Sequence, residues 1–320
     1  MTTYFSAFPR NQESPVITES TVMTMGTFDG IHLGHRKVLS TVASRAKTVG
    51  KKSALVTFRP HPLTILSPKR APLLLTTHQE KMDVLDRCGI DYVAFLPFDD
   101  KMANCDPADF VRDVLVAEFG LSELVVGYDH RFGKGRLGDA NLLQSLGNEL
   151  EFSLRVMSPI QKDARPISSS RIRKALLSGD VKLARDDLGR AYSLLGEVIK
   201  GKGRGRNLGF PTANIRAYDV HNEKKLIPCE GVYAVVVEVD SISYMGALHI
   251  GPKPTFDEMD KVVELHLLDF DRNIYGKQIK IEFIEYVRAV SSFESVQDLI
   301  VQMDKDVEKI RKILGGSISK

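Results

Sequence analysis

The string GTFDGIHLGH at residues 26–35 sets three glycines, Gly26, Gly30 and Gly34, around Phe28 and two histidines, His32 and His35. Glycine lets a backbone approach a phosphate closely. A helix starting near Gly34 would add free N–H groups and the positive end of its dipole. The histidines are three apart and so share a helix face. Two imidazoles beside a triphosphate can donate hydrogen bonds to oxygens that gain charge as the bond between the α and β phosphates breaks. The competing readings are a tight turn with two surface histidines, or a metal pair, for which no third ligand stands at a recognisable spacing.

Far along the chain, ISSSRIRKAL at residues 167–176 offers Ser169 as a helix cap and Arg171 and Arg173 as partners for phosphate oxygens, although capping alone would explain the serine. GKGRGRNLGFPTANI follows at residues 201–215. There Gly201, Gly203 and Gly205 alternate with Lys202, Arg204 and Arg206, a basic close-approach loop suited to polyphosphate, with solvated charge as the plain alternative. Pro211 fixes the backbone, so that Thr212 and Asn214 point to one side of an extended chain. A hydroxyl and an amide oxygen are hard ligands, acceptable to Mg²⁺ alongside ATP phosphates and water. Turns also use Thr and Asn for side-chain hydrogen bonds.

In KVVELHLLDF, alternation places Val262, Glu264, His266 and Leu268 on one sheet face and Val263, Leu265 and Leu267 on the other. Glu264 is therefore a carboxylate beside buried strand residues. It can accept a proton from an alcohol as a phosphoryl group is transferred, or it can be a surface charge on a half-exposed strand.

Two kinds of texture must position these strings. From Thr21 to about Leu188, short β-branched runs (TVMTM, SALVTF, DYVAFLPF, LSELVVG, FSLRVMS) alternate with helical stretches, which predicts a parallel sheet covered by helices. After Ala191 come SLLGEVIKG, GVYAVVVEVD, SYMGALHIG, KVVELHLLDF and QIKIEFIEYV, with turn residues between them, as in an antiparallel barrel. Val296, Leu299, Ile300, Met303, Val307, Ile310 and Leu314 then form one helical stripe expected to pack on that barrel. The expected division is 15–188 and 189–316.

Composition narrows the classes of partner. A chain of 320 residues with 44 basic and 41 acidic side chains has a net charge of +3, too small a surplus to attract nucleic acid by bulk field. Anion binding must be local. Cys88, Cys105 and Cys229 are widely spaced and form no CxxC, which suggests neither a disulfide framework nor zinc, and fits a reducing cytoplasm. The N-terminal residues do not read as a secretion signal, and the longest apolar runs are far short of a bilayer span, so no membrane partner is expected.

HxGH near the first strand, paired with ISSSxxR after the last one, resembles the two halves of the ATP site in the nucleotidyltransferase superfamily. VTFRPHP (residues 56–62) and VVGYDHRFGKGRLGD (residues 125–139) narrow the resemblance to the adenylyltransferase module of bacterial FAD synthetases. That resemblance implies flavin or flavin-phosphate contacts at His61, Pro62, Asp129, Arg131 and Phe132, with core packing an equal reading for Phe132. GFPTAN resembles the metal and ATP signature of riboflavin kinases, in which the glutamate matched by Glu264 is the base. GPKPTF and DFDRNIYG are similar to flavin-site loops there, and Phe256 is either an isoalloxazine contact or a core residue.

In order and spacing the strings resemble the bifunctional bacterial riboflavin kinase/FAD synthetase family. The resemblance implies a Rossmann-like nucleotidyltransferase domain followed by a Greek-key-like β-barrel kinase domain with a terminal helix. It implies ATP as substrate in both steps, Mg²⁺ as cofactor, and riboflavin, FMN, FAD, ADP and pyrophosphate as the other partners. Departures are Thr27 and His249 where Asn is frequent, His130 where Phe is common, and Ser170 where Thr is usual. An enzyme with one working half, and a nonenzymatic flavin- or nucleotide-binding regulator, are the rival readings.

Overall fold

The computed structural model describes residues 2–5, 17–162, 165–200, 209–217, 224–252 and 261–315. They fall into two compact units, Met1–Ser168 and Ser169–Lys320.

The first unit alternates strands and helices: β1 (Thr3–Phe5), β2 (Thr21–Met25), α1 (Leu33–Thr48), β3 (Lys52–Arg59), α2 (Pro62–Leu66), α3 (His78–Leu85), β4 (Tyr92–Pro97), α4 (Asp100–Ala103), α5 (Pro107–Asp109), β5 (Leu121–Gly127), α6 (Ala140–Glu149) and β6 (Ser153–Met157). After α5 the chain widens into a π-helical stretch over Phe110–Val116. A two-stranded ribbon, β7 (Gln161–Lys162) with β8 (Arg165–Pro166), follows β6.

Strands β1 to β6 pair in parallel in the order β1-β4-β3-β2-β5-β6. The five expected strands are present, joined by β1 at the edge, which is only three residues long. Alternation sends Met23, Met25, Ala54, Val56, Leu124 and Val126 into one core cluster with Phe110, Val114 and Leu143. Val22, Leu55, Val93 and Val125 enter the other, with Leu39, Val42 and Ala46 of α1. A parallel sheet buried on both faces explains why its strands read as continuous apolar runs.

The order reverses at β2: β3 and β4 lie to one side of it, β5 and β6 to the other. Loops leaving the carboxyl ends of β2 and β5 therefore diverge at a topological switch point, where an open α/β sheet leaves a crevice for a ligand. Those loops are the 26–35 string and the 128–138 string.

The second unit begins with α7 (Ser169–Leu177) and α8 (Val181–Leu188), which pack on each other, with α8 against the barrel strands. The barrel comprises β9 (Tyr192–Ile199), β10 (Ala213–Ala217), β11 (Gly231–Val239), β12 (Ile242–Pro252), β13 (Lys261–Leu267) and β14 (Gln278–Arg288). It closes in the antiparallel order β10-β13-β12-β11-β14-β9. Leu194, Val198, Ile215, Tyr233, Val235, Leu248, Ile250, Val263, Leu265, Ile281 and Phe283 are buried at alternating positions and fill it.

Helix α9 (Val296–Leu314) covers the outer face near β11, β12 and β14, with Ile310 and Leu314 packed on Val232, Ala234 and Val287. Val296 opens the expected stripe yet is 61% exposed, because the first turn makes no comparable packing. Arg288 of β14 fastens the helix through paired bonds to Asp306 at 2.9 and 2.7 Å. Among the described residues no helix is long and apolar enough to cross a membrane.

Candidate active sites

In the first unit the sheet bond from Gly26 N to the Val56 carbonyl ends β2, after which the chain turns sharply. Phe28 (φ 45°) and Ile31 (φ 40°) adopt left-handed conformations, as does Gly30 (φ 80°). For a β-branched residue such as Ile31 that is a rare state, held only where the surroundings over-determine it.

His32 does not lie on the helix face as its spacing suggests. It is the N-cap of α1, and its Nδ1 accepts from the His35 N–H at 3.3 Å. An imidazole nitrogen thereby satisfies one of the orphan donors of the first turn. The two rings stack with centroids 3.7 Å apart, and Phe28 lies 4.7 Å from His35 on a tilted ring. Gly34 makes room: a Cβ there would stand 3.0 Å from Cε1 and Nδ1 of His32, and 3.9 Å from the carbonyl of Ile167. The start of the ISSSRIRKAL string is thus brought against the 26–35 loop.

His35 is held well below the ordinary histidine range by burial, then by His32 and by the charge of Lys81, so it is neutral at neutral pH. Its Nδ1 has no hydrogen-bond partner among the described residues.

Spacing alone missed the residues that brace this loop. Asp29, 2% exposed, accepts from the N–H groups of Leu75 and Thr76 at 3.0 and 3.1 Å and from the Thr76 hydroxyl at 3.3 Å. Lys81 Nζ donates to the Thr27 carbonyl at 2.8 Å. An aspartate after an aromatic at a strand end was the available signal, but its partners lie 46 residues away.

Among the flavin candidates, His61 caps α2 by accepting from the Leu63 N–H at 3.2 Å, and Pro62 is the first residue of that helix. Asp129 and Arg131 are exposed. Arg131 Nη1 reaches Asp139 at 2.7 Å, and Asp139 in turn caps α6. Phe132, 8% exposed, belongs to the sheet core beside Phe110, and Gly138 admits its ring, since a Cβ at Gly138 would stand 2.5 Å from it.

Ser169 opens α7, which also carries Arg171 and Arg173. Arg171 Nε pairs with the fully buried Asp187 of α8 at 2.8 Å.

In the barrel, Asn214 of β10 stands directly opposite Glu264 of β13, which stands opposite His249 of β12. The three form a row on the outer face, because Ile215, Leu265, Leu248 and Ile250 occupy the buried alternate positions. Thr212 immediately precedes β10 and is half-buried. His266, on the same face as Glu264, has its Nδ1 2.9 Å from the Pro211 carbonyl, and its ring meets Phe210 edge-on. The His249 ring leans over Gly251, where a Cβ would lie 2.7 Å from it. Burial lowers the His249 pKa, Glu264 and Glu230 pull it up, and Arg288 lowers it. Gly201, Lys202, Gly203, Arg204, Gly205 and Phe256 lie outside the described residues. Among the described residues no three His, Cys, Asp or Glu side chains cluster as a metal site.

Comparison with known proteins matches residues 14–171 to the FAD synthetase family and residues 188–314 to the riboflavin kinase family. The bifunctional riboflavin kinase/FMN adenylyltransferase of Haemophilus influenzae is 35% identical over 293 residues, covering 91% of this chain and 94% of the relative. That of Escherichia coli K12 is 34% identical, covering 93% and 94%, and that of Bacillus subtilis is 35% identical, covering 90% of each. The crystal structure of a Streptococcus pneumoniae protein described as a macrolide-efflux protein shares 29% identity and a TM-score of 0.86, over 96% of this chain and 98% of that one. Both family matches and the full-length relatives lead to one conclusion: this chain belongs to the bifunctional riboflavin kinase/FMN adenylyltransferases, which use ATP to convert riboflavin to FMN and FMN to FAD.

Proposed function

We propose that the two reactions are divided between two separate sets of residues, with adenylylation in 15–188 and riboflavin phosphorylation in 189–316. The observation that carries the kinase half is the direct pairing of Asn214 with Glu264 on one barrel face.

In the kinase step the riboflavin 5′-hydroxyl oxygen bonds to the γ-phosphorus of ATP, the bond to the departing ADP breaks, and Glu264 takes the hydroxyl proton. The base is needed because an alcohol is a poor nucleophile while it keeps its proton. Thr212 and Asn214 suit Mg²⁺, being neutral hard-oxygen donors next to a carboxylate and leaving its charge for phosphate oxygens. When bound, the ion would neutralise charge on the phosphates. The basic loop Gly201, Lys202, Gly203, Arg204 and Gly205 is assigned to ATP, and Phe256 to the flavin.

In the adenylyl step an FMN phosphate oxygen bonds to the α-phosphorus of a second ATP, and the bond to pyrophosphate breaks. That nucleophile is already anionic, so no strong base is required. Positioning and charge stabilisation carry the step. His32, His35 and the α1 N-terminus serve the phosphates, with Gly26, Phe28, Gly30 and Gly34 shaping the cradle. Ser169, Arg171 and Arg173 are assigned to ATP by family resemblance. His61, Pro62, Asp129 and Arg131 are assigned to the flavin nucleotide, with Phe132 anchoring their loop from the core.

The cytoplasm, with its ATP supply and reducing conditions, is the proposed location; Cys88, Cys105 and Cys229 form no disulfide with one another. The test supplies riboflavin, ATP and Mg²⁺ and follows FMN, FAD and pyrophosphate. Glu264→Ala should block FMN formation while still adenylylating supplied FMN, and His32→Ala should stop at FMN. Wild-type riboflavin phosphorylation by the first variant would sink the assigned base, and undiminished FAD formation by the second would sink the assigned histidine.

A further inference from the structure

We infer that Asp29 is a positioning residue for adenylyl transfer, holding the 26–35 loop in its productive shape through Leu75 and Thr76. Asp29 lies within the stretch bounded by the left-handed Phe28 and Ile31. Left to itself such a turn would relax, since non-glycine residues favour negative φ. What opposes relaxation is a buried carboxylate spread over several donors.

Leu75 N–H reaches both carboxylate oxygens at 3.0 Å, and Thr76 adds its N–H and its hydroxyl. The same Thr76 hydroxyl oxygen accepts from Gly30 N–H at 3.1 Å, so one side chain grips the loop at two consecutive residues. Thr76 is 5% exposed, leaving water little access to compete. On the preceding side, the Thr27 carbonyl accepts from Lys81 Nζ and, at 3.2 Å, from the Thr57 hydroxyl.

The mechanical consequence follows from contact. The Phe28 ring touches His35, and His35 stacks on His32. Releasing Asp29 frees Phe28 and Ile31 to leave their left-handed states and shifts the imidazole pair that the loop presents. Asp29 itself accepts from the Leu75 and Thr76 donors, so its effect passes through the histidines. Displacement of reacting groups by an ångström costs up to about 100-fold in rate, chiefly in kcat.

The inference rests on the assignment of adenylyl transfer to this loop, and the test keeps the two apart. Asp29→Asn, Thr76→Val, Thr76→Ser and His32→Ala are made in the full chain, and each is assayed for FMN to FAD and riboflavin to FMN. Asp29→Asn should lower kcat for FAD formation at least ~10-fold, with KM for FMN within about twofold and riboflavin phosphorylation at the wild-type rate. Thr76→Val should behave likewise, and Thr76→Ser should restore the rate. Should Asp29→Asn fail to fold, the Thr76 pair decides. A folded Asp29→Asn or Thr76→Val that makes FAD at the wild-type rate overturns the inference, as does a parallel fall in both activities. If His32→Ala also retains full FAD formation, the assignment of the loop itself is at fault.

Discussion

The imidazoles of His32 and His35 lie parallel, 3.7 Å between centroids and 16° between planes, with His32 outside helix α1 as its cap and His35 within its first turn. The glycine between them, Gly34, is what permits the capping ring to fold back over the helix start. This small unit converts a spacing into a surface that can meet phosphate oxygens.

Gly34→Ala should therefore displace the His32 ring without unfolding the chain. A methyl 3.0 Å from the ring atoms forces it aside by a fraction of an ångström. FAD formation should fall about 10-fold while riboflavin phosphorylation is unchanged, measured as initial rates on each substrate separately.

Acid should weaken the first unit in a way that a single substitution softens. Burial pushes the His130 imidazole down to about 4, against the opposing pull of Asp129. The unfolded chain, with a histidine near 6.5, binds the proton more readily. Stability from this residue is full above about pH 6.5 and is lost as pH falls toward 4. His130→Phe should thus reduce the drop in Tm between about pH 7 and pH 4.5 by ~3–6 °C, read by calorimetry, with His35 still supplying part of the slope.

Asp187 is fully buried and paired with Arg171 at 2.8 Å, so removing the carboxylate takes an ion-pair partner from a largely buried guanidinium. Asp187→Ala should cost about 3–5 kcal/mol in the denaturant transition of the second unit. The double variant Asp187→Leu with Arg171→Met should regain most of that stability. If Arg171 also serves ATP, the stable double variant will still make FAD poorly, with a raised KM for ATP.

His266 ties β13 to the Pro211 carbonyl just ahead of Thr212. His266→Ala loses roughly one hydrogen bond, about 0.5–1.5 kcal/mol, and with it the register against Glu264 of the segment proposed to donate to Mg²⁺. The Mg²⁺ concentration for half-maximal FMN formation should rise about 3–10-fold, with maximal rate largely recovered at high Mg²⁺. An unchanged Mg²⁺ dependence would assign the contact to folding alone.

Much of the architecture was legible because it depends on local pattern. The long β-branched runs became β2 to β6, and the alternating strings after Ala191 became β9 and β11 to β14. Strands β1 and β10 were not readable: the first is three residues long, and the second makes its ladder with only Ala213 and Asn214 on the β13 side. The pairing of Asn214 with Glu264 links residues 50 apart, so it depends on barrel register and not on either string.

Residue type and order along the chain thus carried the resemblance to the family and its two activities, and the strings assigned to each step are our proposal, since glycine placement, hard oxygen donors and histidine pairs are chemical properties of the residues themselves. What only the folded chain decided was mutual position: His32 as a cap, Asp29 bonded to Leu75 and Thr76, Arg171 paired with Asp187, Phe132 drawn into the core. The reason is physical. A buried polar group must find partners wherever the packing brings them, and packing joins segments whose separation along the chain carries no signal of their contact.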